Sequence, residues 1–220
     1  MRAFAMATPH SAPSERTRVR RLPDRADYEI AQVAAIVDAA WVAHVAFSSE
    51  GSVHSIPTAV WREGEHLYIH GAKASRMLKA LEAGECSVSI AVLDGLVLAR
   101  SAFHHSMNFR SVVIYGRFDK VEDEAAKSRA LQVFTDKLAP GRWDTLRPVT
   151  AKELNATTVL RLSLAEASAK LRSGGPKDDE EDMGWPVWAG VVPVVQTFGA
   201  PQTEPDSVVP TPPAPFGPGV

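Results

Sequence analysis

The chain has few of the residues that would tie it to an oxidising or a membrane environment. It contains one cysteine, Cys86, among 220 residues, so no internal disulfide can form. The simplest prediction for this thiol is a small apolar residue inside a strand. The sequence has no apolar run of roughly 18 residues, the length that a membrane-spanning helix requires, and residues 1–21 lack the apolar stretch of a secretory signal. We therefore expect a cytoplasmic protein with no membrane partner.

The sequence also lacks an excess of basic residues. Its formal net charge is −2 and its isoelectric point is near 6.4. Nucleic acids and anionic lipid surfaces attract clusters of lysine and arginine, so this composition argues against both as partners. Hydrophobic residues make up 45% of the chain and charged residues 23%, which is typical of a globular domain with a buried core.

Composition changes at both ends of the chain. Residues 1–20 show little apolar periodicity, and residues 200–220 hold seven of the 16 prolines. Proline removes backbone donors, and a segment with few large apolar groups cannot offset the entropy of ordering. We predict a flexible leader over 1–20, one domain over 21–199 and a disordered proline-rich tail over 200–220.

Within the domain, short strands alternate with a few helices. Segments with helical signals are 24–40, 74–82, 123–138 and a short helix that begins after Thr150 with Glu153 as the capping partner. Strand signals cover 41–48, 53–62, 65–71, 86–103, 110–123 and a final strand over 157–172. Because tight turns join neighbouring strands, we predict a mainly β fold, an antiparallel barrel with flanking helices.

Three local features remain to be decided by structure. Asp24 or Asp27 is the expected cap of the first helix, and Gly84 is the expected left-handed cap of the second. Asp94 and Gly95 indicate either a hairpin turn or a bulge within one long strand.

Polar side chains share one face of the strand over 65–71. Alternation places His66, Tyr68 and His70 on one face, and Leu67 and Ile69 on the other. His70 therefore faces either a ligand or a hydrogen-bonding partner inside the barrel.

Cations gather where this strand gives way to a helix. Lys73, Ser75 and Arg76 follow Gly71, which lets the backbone turn and lets a ligand approach closely. The first helical turn leaves N–H groups unpaired, with partial positive charge. Phosphate is the common anion for such a cluster, since arginine can donate to two of its oxygens. The alternative is an ordinary solvated helix start.

Two further clusters have polar or aromatic character. Asn108, Arg110 and Ser111 stand at the entry to an apolar strand, and Arg110 would reach the same anion if the strands are neighbours. The adjacent His104 and His105 lack a third ligand at a recognisable spacing, so no metal site is predicted.

An aromatic segment, "WPVWAGVVP", lies near the end of the predicted domain, at residues 185–193. Trp188 beside the small Ala-Gly step offers either a flat wall for a planar ring or a cap for one end of the barrel core.

These clusters, in this order, resemble the flavin-binding split-barrel proteins related to pyridoxamine-phosphate oxidase, in the branch that includes nitroimidazole-resistance (Nim-type) proteins. The similarity covers roughly residues 17–195. It is carried by "IPTAVW", "LYIHGAKASRMLKAL", "DGLVLARSAFHHSMNFRSVVIYGR", "ELNATTVLRLSL", "SAKLRSG" and "VWAGVVP" taken together. The resemblance implies a six-stranded antiparallel split β-barrel, a homodimer, and FMN held in grooves at the subunit interface.

The resemblance also implies roles for individual residues. The positions placed at the cofactor are Pro57, Thr58, His70, Gly71, Lys73, Ser75, Arg76, Asn108, Arg110, Ser111 and Trp188. Lys73, Ser75 and Arg76 correspond to the segment that binds the flavin phosphate. Pro57 and Thr58 correspond to backbone contacts at the edge of the ring.

His70 corresponds to the histidine that Nim-type proteins place at the flavin, where it would donate a proton or position the acceptor. Asn108, Arg110 and Ser111 match a strand-entry motif in which Phe109 replaces the usual tyrosine, so any hydrogen bond from that hydroxyl is missing. Trp188 would approach the flavin from the C-terminal segment.

The function implied is that of an FMN-dependent oxidoreductase, which passes electrons from a reduced nicotinamide or another donor to a small acceptor, nitroaromatics included. A flavin-binding storage, sensor or electron-carrier protein without turnover is the alternative, as is the same barrel with haem or a deazaflavin. The chain lacks the arginine-rich C-terminal substrate motif of authentic pyridoxamine-phosphate oxidases, so vitamin B6 oxidation is not expected.

Overall fold

Two antiparallel sheets share one apolar core in the computed structural model, which describes residues 11–213 and residue 216. The strands are β1 (Ala26–Asp27), β2 (Val42–Ser49), β3 (Ser52–Ala59), β4 (Trp61–Glu63), β5 (His66–Ala72), β6 (Cys86–Leu98), β7 (Ser106–Gly116), β8 (Asp119–Lys120), β9 (Thr157–Ser163), β10 (Ala167–Arg172) and β11 (Gly190–Pro193). The α-helices are α1 (Ile30–Ala39), α2 (Arg76–Ala83), α3 (Glu124–Leu138) and α4 (Ala151–Ala156).

The larger sheet has the strand order β1-β10-β7-β6-β2-β3, and the smaller one the order β4-β5-β9-β8. Strand β6 is long enough to pair with β7 along one edge and with two strands along the other. On that second edge β2 pairs with the first half of β6, and β11 pairs with the second half. The predicted mainly β, split-barrel fold with flanking helices is confirmed, and short edge strands raise the number of strands in the described residues above the predicted six.

Alternating side chains build the core between the two sheets. Leu67 and Ile69 of β5 are fully buried with Leu160 of β9, and they meet Val45 and Val88 of the larger sheet. Each such side chain stabilises the fold by roughly 1.5–3 kcal/mol relative to an exposed one. Helix α1 contributes Val33, Ile36 and Val37 to the same cluster.

The other face of the smaller sheet is covered by α3. Trp61, Tyr68 and Val159 pack there against Ala130 and Phe134 of the helix. Asp123 caps α3, because its side chain accepts a hydrogen bond from the N–H of Ala126 at 2.8 Å. The smaller sheet is therefore buried on both faces.

The start of the domain differs from the predicted helix over 24–40. A 3₁₀ turn occupies Pro23–Arg25, and Ala26–Asp27 pairs with β10, so α1 begins only at Ile30. Neither Asp24 nor Asp27 caps this helix. The carboxylate of Asp27 instead accepts from the N–H of Glu29 at 2.8 Å. Residues 26 and 27 pair with the open edge of β10 and are therefore extended. The pairing outweighs their local helical preference.

Gly84 does not form the predicted left-handed cap. Its backbone is extended (φ −138°, ψ 173°), and its N–H donates to the carbonyl of Ala80 at 3.0 Å. The chain leaves α2 directly into β6, so no reversal by a left-handed residue is needed.

Two strand predictions are resolved by pairing. The register of β6 and β7 shifts between Leu93 and Gly95, so Asp94 lies in a bulge of one long strand and not in a hairpin. The predicted single strand over 157–172 is wrong, since β9 and β10 belong to different sheets. The capping box of Thr150 and Glu153 is confirmed at the start of α4.

Part of the predicted leader lies against the domain. Arg16 donates to Glu85 at 2.6 Å and to Glu166 at 2.8 Å, and its guanidinium lies over the ring of Tyr115 at 5.3 Å. Residues 1–10 lie outside the described residues.

The predicted tail over 200–220 has neither helix nor strand in its described part, 200–213 and 216. Residues 214–215 and 217–220 lie outside the described residues, and the three-part division of the chain stays a prediction. Over the described ranges, no helix combines the length and apolarity needed to cross a membrane.

Candidate functional site

The corner between β5 and α2 has the geometry that the sequence indicates. The N–H of Lys73 donates to the carbonyl of Ala156 at 2.9 Å, which ties the corner to the end of α4. Ser75 is the cap of α2, and its hydroxyl accepts from the N–H of Leu78 at 3.4 Å. Arg76 is the first helical residue and is exposed to solvent.

Gly71 permits a close approach, but its neighbour is α2 itself. A Cβ atom added at Gly71 would lie 3.1 Å from Cδ1 of Leu78, which is fully buried. The absence of a side chain therefore seats the helix on β5 and holds Arg76 at the end of the strand.

A cavity of about 540 Å³ opens between α2 and the hairpin of β2 and β3. Its lining residues are Phe47, Ser49, Glu50, His54, Ile56, Arg76, Met77, Lys79 and Ala80. The side chains of Arg76 and Lys79 have no hydrogen-bond or ion-pair partner among the described residues. This volume falls in the range of small-molecule sites, roughly 300–1,000 Å³. The cavity can therefore take an anionic ligand.

Sequence analysis did not identify Lys79 or His54. Lys79 lies three residues after Arg76 in α2, and this spacing places two side chains on one helix face. That spacing was the available signal. His54 reaches the cavity only because β2 and β3 pair, with Phe47 opposite His54.

Pro57 and Thr58 lie on β3 beside this cavity. They pair with His44 and Ala43 of β2, and Ile56, the residue before Pro57, lines the cavity. Strand β3 is the outer strand of the larger sheet, and residues 52–57 are exposed. The predicted edge of a flavin ring and the predicted phosphate corner are thus near each other.

His70 lies in the core under α3. Its ring centroid is 5.5 Å from that of Trp61 and 4.9 Å from that of Phe134, and its buried Nδ1 atom has no hydrogen-bond partner. Burial lowers the pKa of His70 below its ordinary value, which favours the neutral ring. His70 is not among the described residues that line the cavity, and its catalytic role stays a prediction.

Arg110 is paired with a carboxylate. Its Nε and Nη2 atoms donate to Asp94 at 2.9 and 2.8 Å, and this pairing raises the pKa of Arg110. Strand β7 belongs to the larger sheet and β5 to the smaller one, so they are not neighbours. The prediction that Arg110 reaches the anion of the β5–α2 corner required these two strands to be neighbours. Within one chain, that condition is not met.

Asn108 and Ser111 make hydrogen bonds along the same strand. The hydroxyl of Ser111 donates to the carbonyl of Lys170 at 3.2 Å. Asn108 is buried, accepts from Arg172, and donates to the carbonyl of Gly174 at 3.1 Å. Both residues hold β10 and the loop after it against β7.

Trp188 is 61% exposed. Its indole lies over Gly190, where an added Cβ would meet Cζ2 of the ring at 2.8 Å. Trp188 therefore presents a flat face at the start of β11 and does not cap the core.

No group of three His, Cys, Asp or Glu side chains in the described part of the chain could hold a metal ion. Burial raises the pKa of the Cys86 thiol to about 11, and its Sγ donates to the carbonyl of Gly116 at 3.2 Å. A protonated, enclosed thiol is a poor nucleophile.

Comparison with known proteins gives the family. The family model described as pyridoxamine 5′-phosphate oxidase matches residues 29–171. No curated protein matches the chain. The flavocytochrome Anf3 from Azotobacter vinelandii is 47% identical; the match covers 94% of this chain and 96% of that one, with a TM-score of 0.87. The FAD and heme binding protein from Mycobacterium smegmatis is 38% identical, covering 87% and 94%, with a TM-score of 0.81.

A more distant similarity shows the fold alone. The 5-nitroimidazole antibiotic resistance protein from Bacteroides thetaiotaomicron VPI-5482, described as putative, is 17% identical, with 66% of this chain and 85% of that chain covered and a TM-score of 0.52. Together with the antiparallel sheets, these findings identify the chain as a member of the pyridoxamine 5′-phosphate oxidase family, a flavin-binding split-barrel family.

Proposed function

We propose that this protein is a flavin-dependent oxidoreductase that passes electrons from a reduced nicotinamide or another donor to a small acceptor, nitroaromatics included. One observation carries the proposal. Arg76, at the corner that the family resemblance assigns to the flavin phosphate, projects into a cavity of about 540 Å³ and has no acidic partner among the described residues. A guanidinium without a protein partner at the opening of a cavity is free to donate to an anionic ligand such as a phosphate.

The residues of the site fit a flavin. Arg76 would hold a phosphate, Ser75 keeps the first turn of α2 in place, and the exposed strand around Pro57 and Thr58 offers backbone groups to a ring edge. The bound flavin would supply the redox chemistry. The protein would orient it and neutralise its phosphate. The family resemblance favours FMN, whereas the name of the similar protein from Mycobacterium smegmatis includes FAD, and we propose FAD.

We also propose that two copies of the chain form a homodimer with the flavin at their interface. Leu96 of β6 pairs with Met107 of β7 on one side and with Val192 of β11 on the other, and all three apolar side chains are exposed. Trp188 lies on the same face, over Gly190. An apolar surface of this kind marks an interaction site in a globular protein.

Haem is a second candidate cofactor, since both similar proteins are described as a flavocytochrome or as heme-binding. His105 is the residue that would bind the haem iron. Its Nδ1 atom lies 2.9 Å from the carbonyl of Ser101, which can only accept, so Nδ1 donates and Nε2 keeps a free lone pair. The neighbouring Phe103 is 90% exposed, and it offers an apolar surface to a porphyrin.

The absorption spectrum of the purified protein tests both cofactors. We expect flavin bands, and we expect Arg76→Ala to weaken flavin binding by about 1.5–3 kcal/mol, the range for a hydrogen bond to a charged group. Arg161→Ala, an exposed arginine of β9, is the matched control. A protein that binds neither FMN nor FAD would contradict the proposal.

A measurement of turnover distinguishes an enzyme from a carrier protein. Oxidation of NADH or NADPH by the flavin-loaded protein, accelerated by an added acceptor, supports the oxidoreductase, whereas binding without turnover supports the storage, sensor or carrier alternative. For haem, His105→Ala should remove a Soret band that His66→Ala retains. The absence of that band in the wild-type protein after expression with added haem precursor would exclude the second candidate.

A further inference from the structure

The cavity extends past the phosphate corner, toward the tip of the β2–β3 hairpin. It reaches from Arg76 on α2 to Ser49 and Glu50 at the end of β2. A flavin mononucleotide ends at its phosphate. A mononucleotide whose ring lies beside Thr58 would therefore leave the space beyond that corner unfilled.

Two cations face this space. Arg76 and Lys79 are three residues apart on α2, and such side chains project side by side from one helix face. Both are exposed, and neither has a hydrogen-bond or ion-pair partner among the described residues. Two adjacent cations match two linked phosphates better than one, because each can donate to a different phosphoryl group.

An aromatic pair forms the opposite wall. The rings of Phe47 and His54 are stacked, with centroids 5.2 Å apart and planes inclined by 24°. Phe47 is buried and fixed in the core, so it holds the exposed His54 ring in place. An exposed, flat ring of this kind can stack on a purine. The carboxylate of Glu50 and the hydroxyl of Ser49 can accept hydrogen bonds from ribose hydroxyls.

The direction of β3 orders these groups. Thr58, at the predicted ring edge, is four residues from His54, which is roughly 13 Å along an extended strand. Ile56, between Thr58 and His54 on β3, lines the cavity together with Arg76, so the phosphates would lie between the ring and the purine. We infer that this cavity binds the adenosine monophosphate half of FAD, with Lys79 on the second phosphate and His54 against the adenine. This inference rests on the proposed flavin site.

Lys79→Met tests the inference. We expect the purified full-length variant to release mostly FMN where the wild-type protein releases FAD, as identified by chromatography. In fluorescence titrations of the flavin-depleted full-length chain, FAD affinity should fall about 10- to 100-fold, the effect of one charged hydrogen bond. FMN affinity should change less than threefold. His54→Ala should act in the same direction, and Lys152→Met, at an exposed lysine of α4, should alter neither affinity.

The possible failures are distinct. If FMN and FAD lose affinity equally in Lys79→Met, or if neither does, the inference is wrong while the flavin site stands. A variant with a raised KM for NADH and unchanged FAD affinity would assign the cavity to the nucleoside diphosphate of the electron donor and overturn the inference. If the wild-type protein binds no flavin, both the inference and the proposed function are wrong. If it does bind flavin, the Arg76→Ala variant tests the proposed function separately from the inference.

Discussion

Arg110 and Asp94 face each other across β6 and β7 with two parallel hydrogen bonds, Nε to Oδ2 at 2.9 Å and Nη2 to Oδ1 at 2.8 Å. Asp94 is the bulged residue of β6, at the point where the register with β7 shifts. The planar guanidinium can donate both hydrogen bonds only to a carboxylate in one relative orientation. The pair therefore fixes the conformation of the bulge. The bulge in turn separates the half of β6 that pairs with β2 from the half that pairs with β11.

We expect this pair to contribute to stability and not to flavin binding. Arg110→Ala and Asp94→Ala should each lower the free energy of unfolding, and the double variant should show a coupling of about 0.5–1 kcal/mol, since both side chains are about one-third exposed. Urea unfolding of the four proteins measures it. A loss of flavin in Arg110→Ala, with a coupling near zero, would show instead that Arg110 binds the cofactor of a second subunit.

His70 should make the fold sensitive to acid. The pKa of His70 is lowered in the folded protein, so below about pH 6.5 the unfolded chain binds a proton that the folded chain does not. The free energy of unfolding should therefore fall as the pH drops through this range. His70→Leu should reduce that slope and leave stability at pH 7.5 unchanged or higher, because the buried, unpartnered Nδ1 is removed.

Unfolding at pH 7.5 and pH 5.0 measures the slope, and His66→Leu on the same strand is the control. A wild-type slope in His70→Leu contradicts this account. Loss of turnover in that variant with full flavin content and normal stability would instead support the catalytic role that the family resemblance gives to His70.

Replacing Arg172 should cost more unfolding free energy than replacing an exposed arginine. It is buried, and it donates to Asn108 Oδ1, to the carbonyl of Gly174 at 3.3 Å and to that of Gly175 at 3.2 Å. Arg172→Met should cost about 2–3 kcal/mol of unfolding free energy, because it leaves a buried amide oxygen without its donor. Arg161→Met, at an exposed strand position without such partners, should cost less than about 0.5 kcal/mol. Equal values for the two variants would show that the network contributes nothing.

Gly190 should control the position of Trp188. An added Cβ would meet the indole at 2.8 Å, so Gly190→Ala should displace this ring and change the tryptophan emission. The change should disappear in a Trp188→Phe background. Gly184→Ala, where an added Cβ meets no atom within 4 Å, is the control. The same emission spectrum in Gly190→Ala and wild type would contradict the stacking of Trp188 on Gly190.

Sequence patterns predicted the elements whose signals are local. The apolar spacing of α3, the capping box of α4 and the alternation of β5 needed no information from distant residues. The two residues of β1 and the division between β9 and β10 depend on which edge is open for pairing, and a local pattern does not contain that. The partner of Arg110 is 16 residues away and reaches it only through a register shift.

The candidate site shows the same division. Arg76 and Ser75 could be found because a strand, a glycine and a capped helix follow one another along the chain. His54 could not, because it joins the cavity through cross-strand pairing with Phe47. Lys79 had a usable signal in its spacing from Arg76. The role of His70 was open in the sequence because a histidine on a strand face can meet either a ligand or a helix, and here the helix is α3.

Pro57 limits how another molecule can approach the outer side of the larger sheet. It lies within β3, where a further strand would need a continuous ladder of N–H donors, and proline has none to give. Growth of the sheet by an added strand is therefore interrupted at this residue, which protects the chain from edge-to-edge aggregation. Another protein chain that covers β3 there must therefore bind through side chains, without extending the sheet.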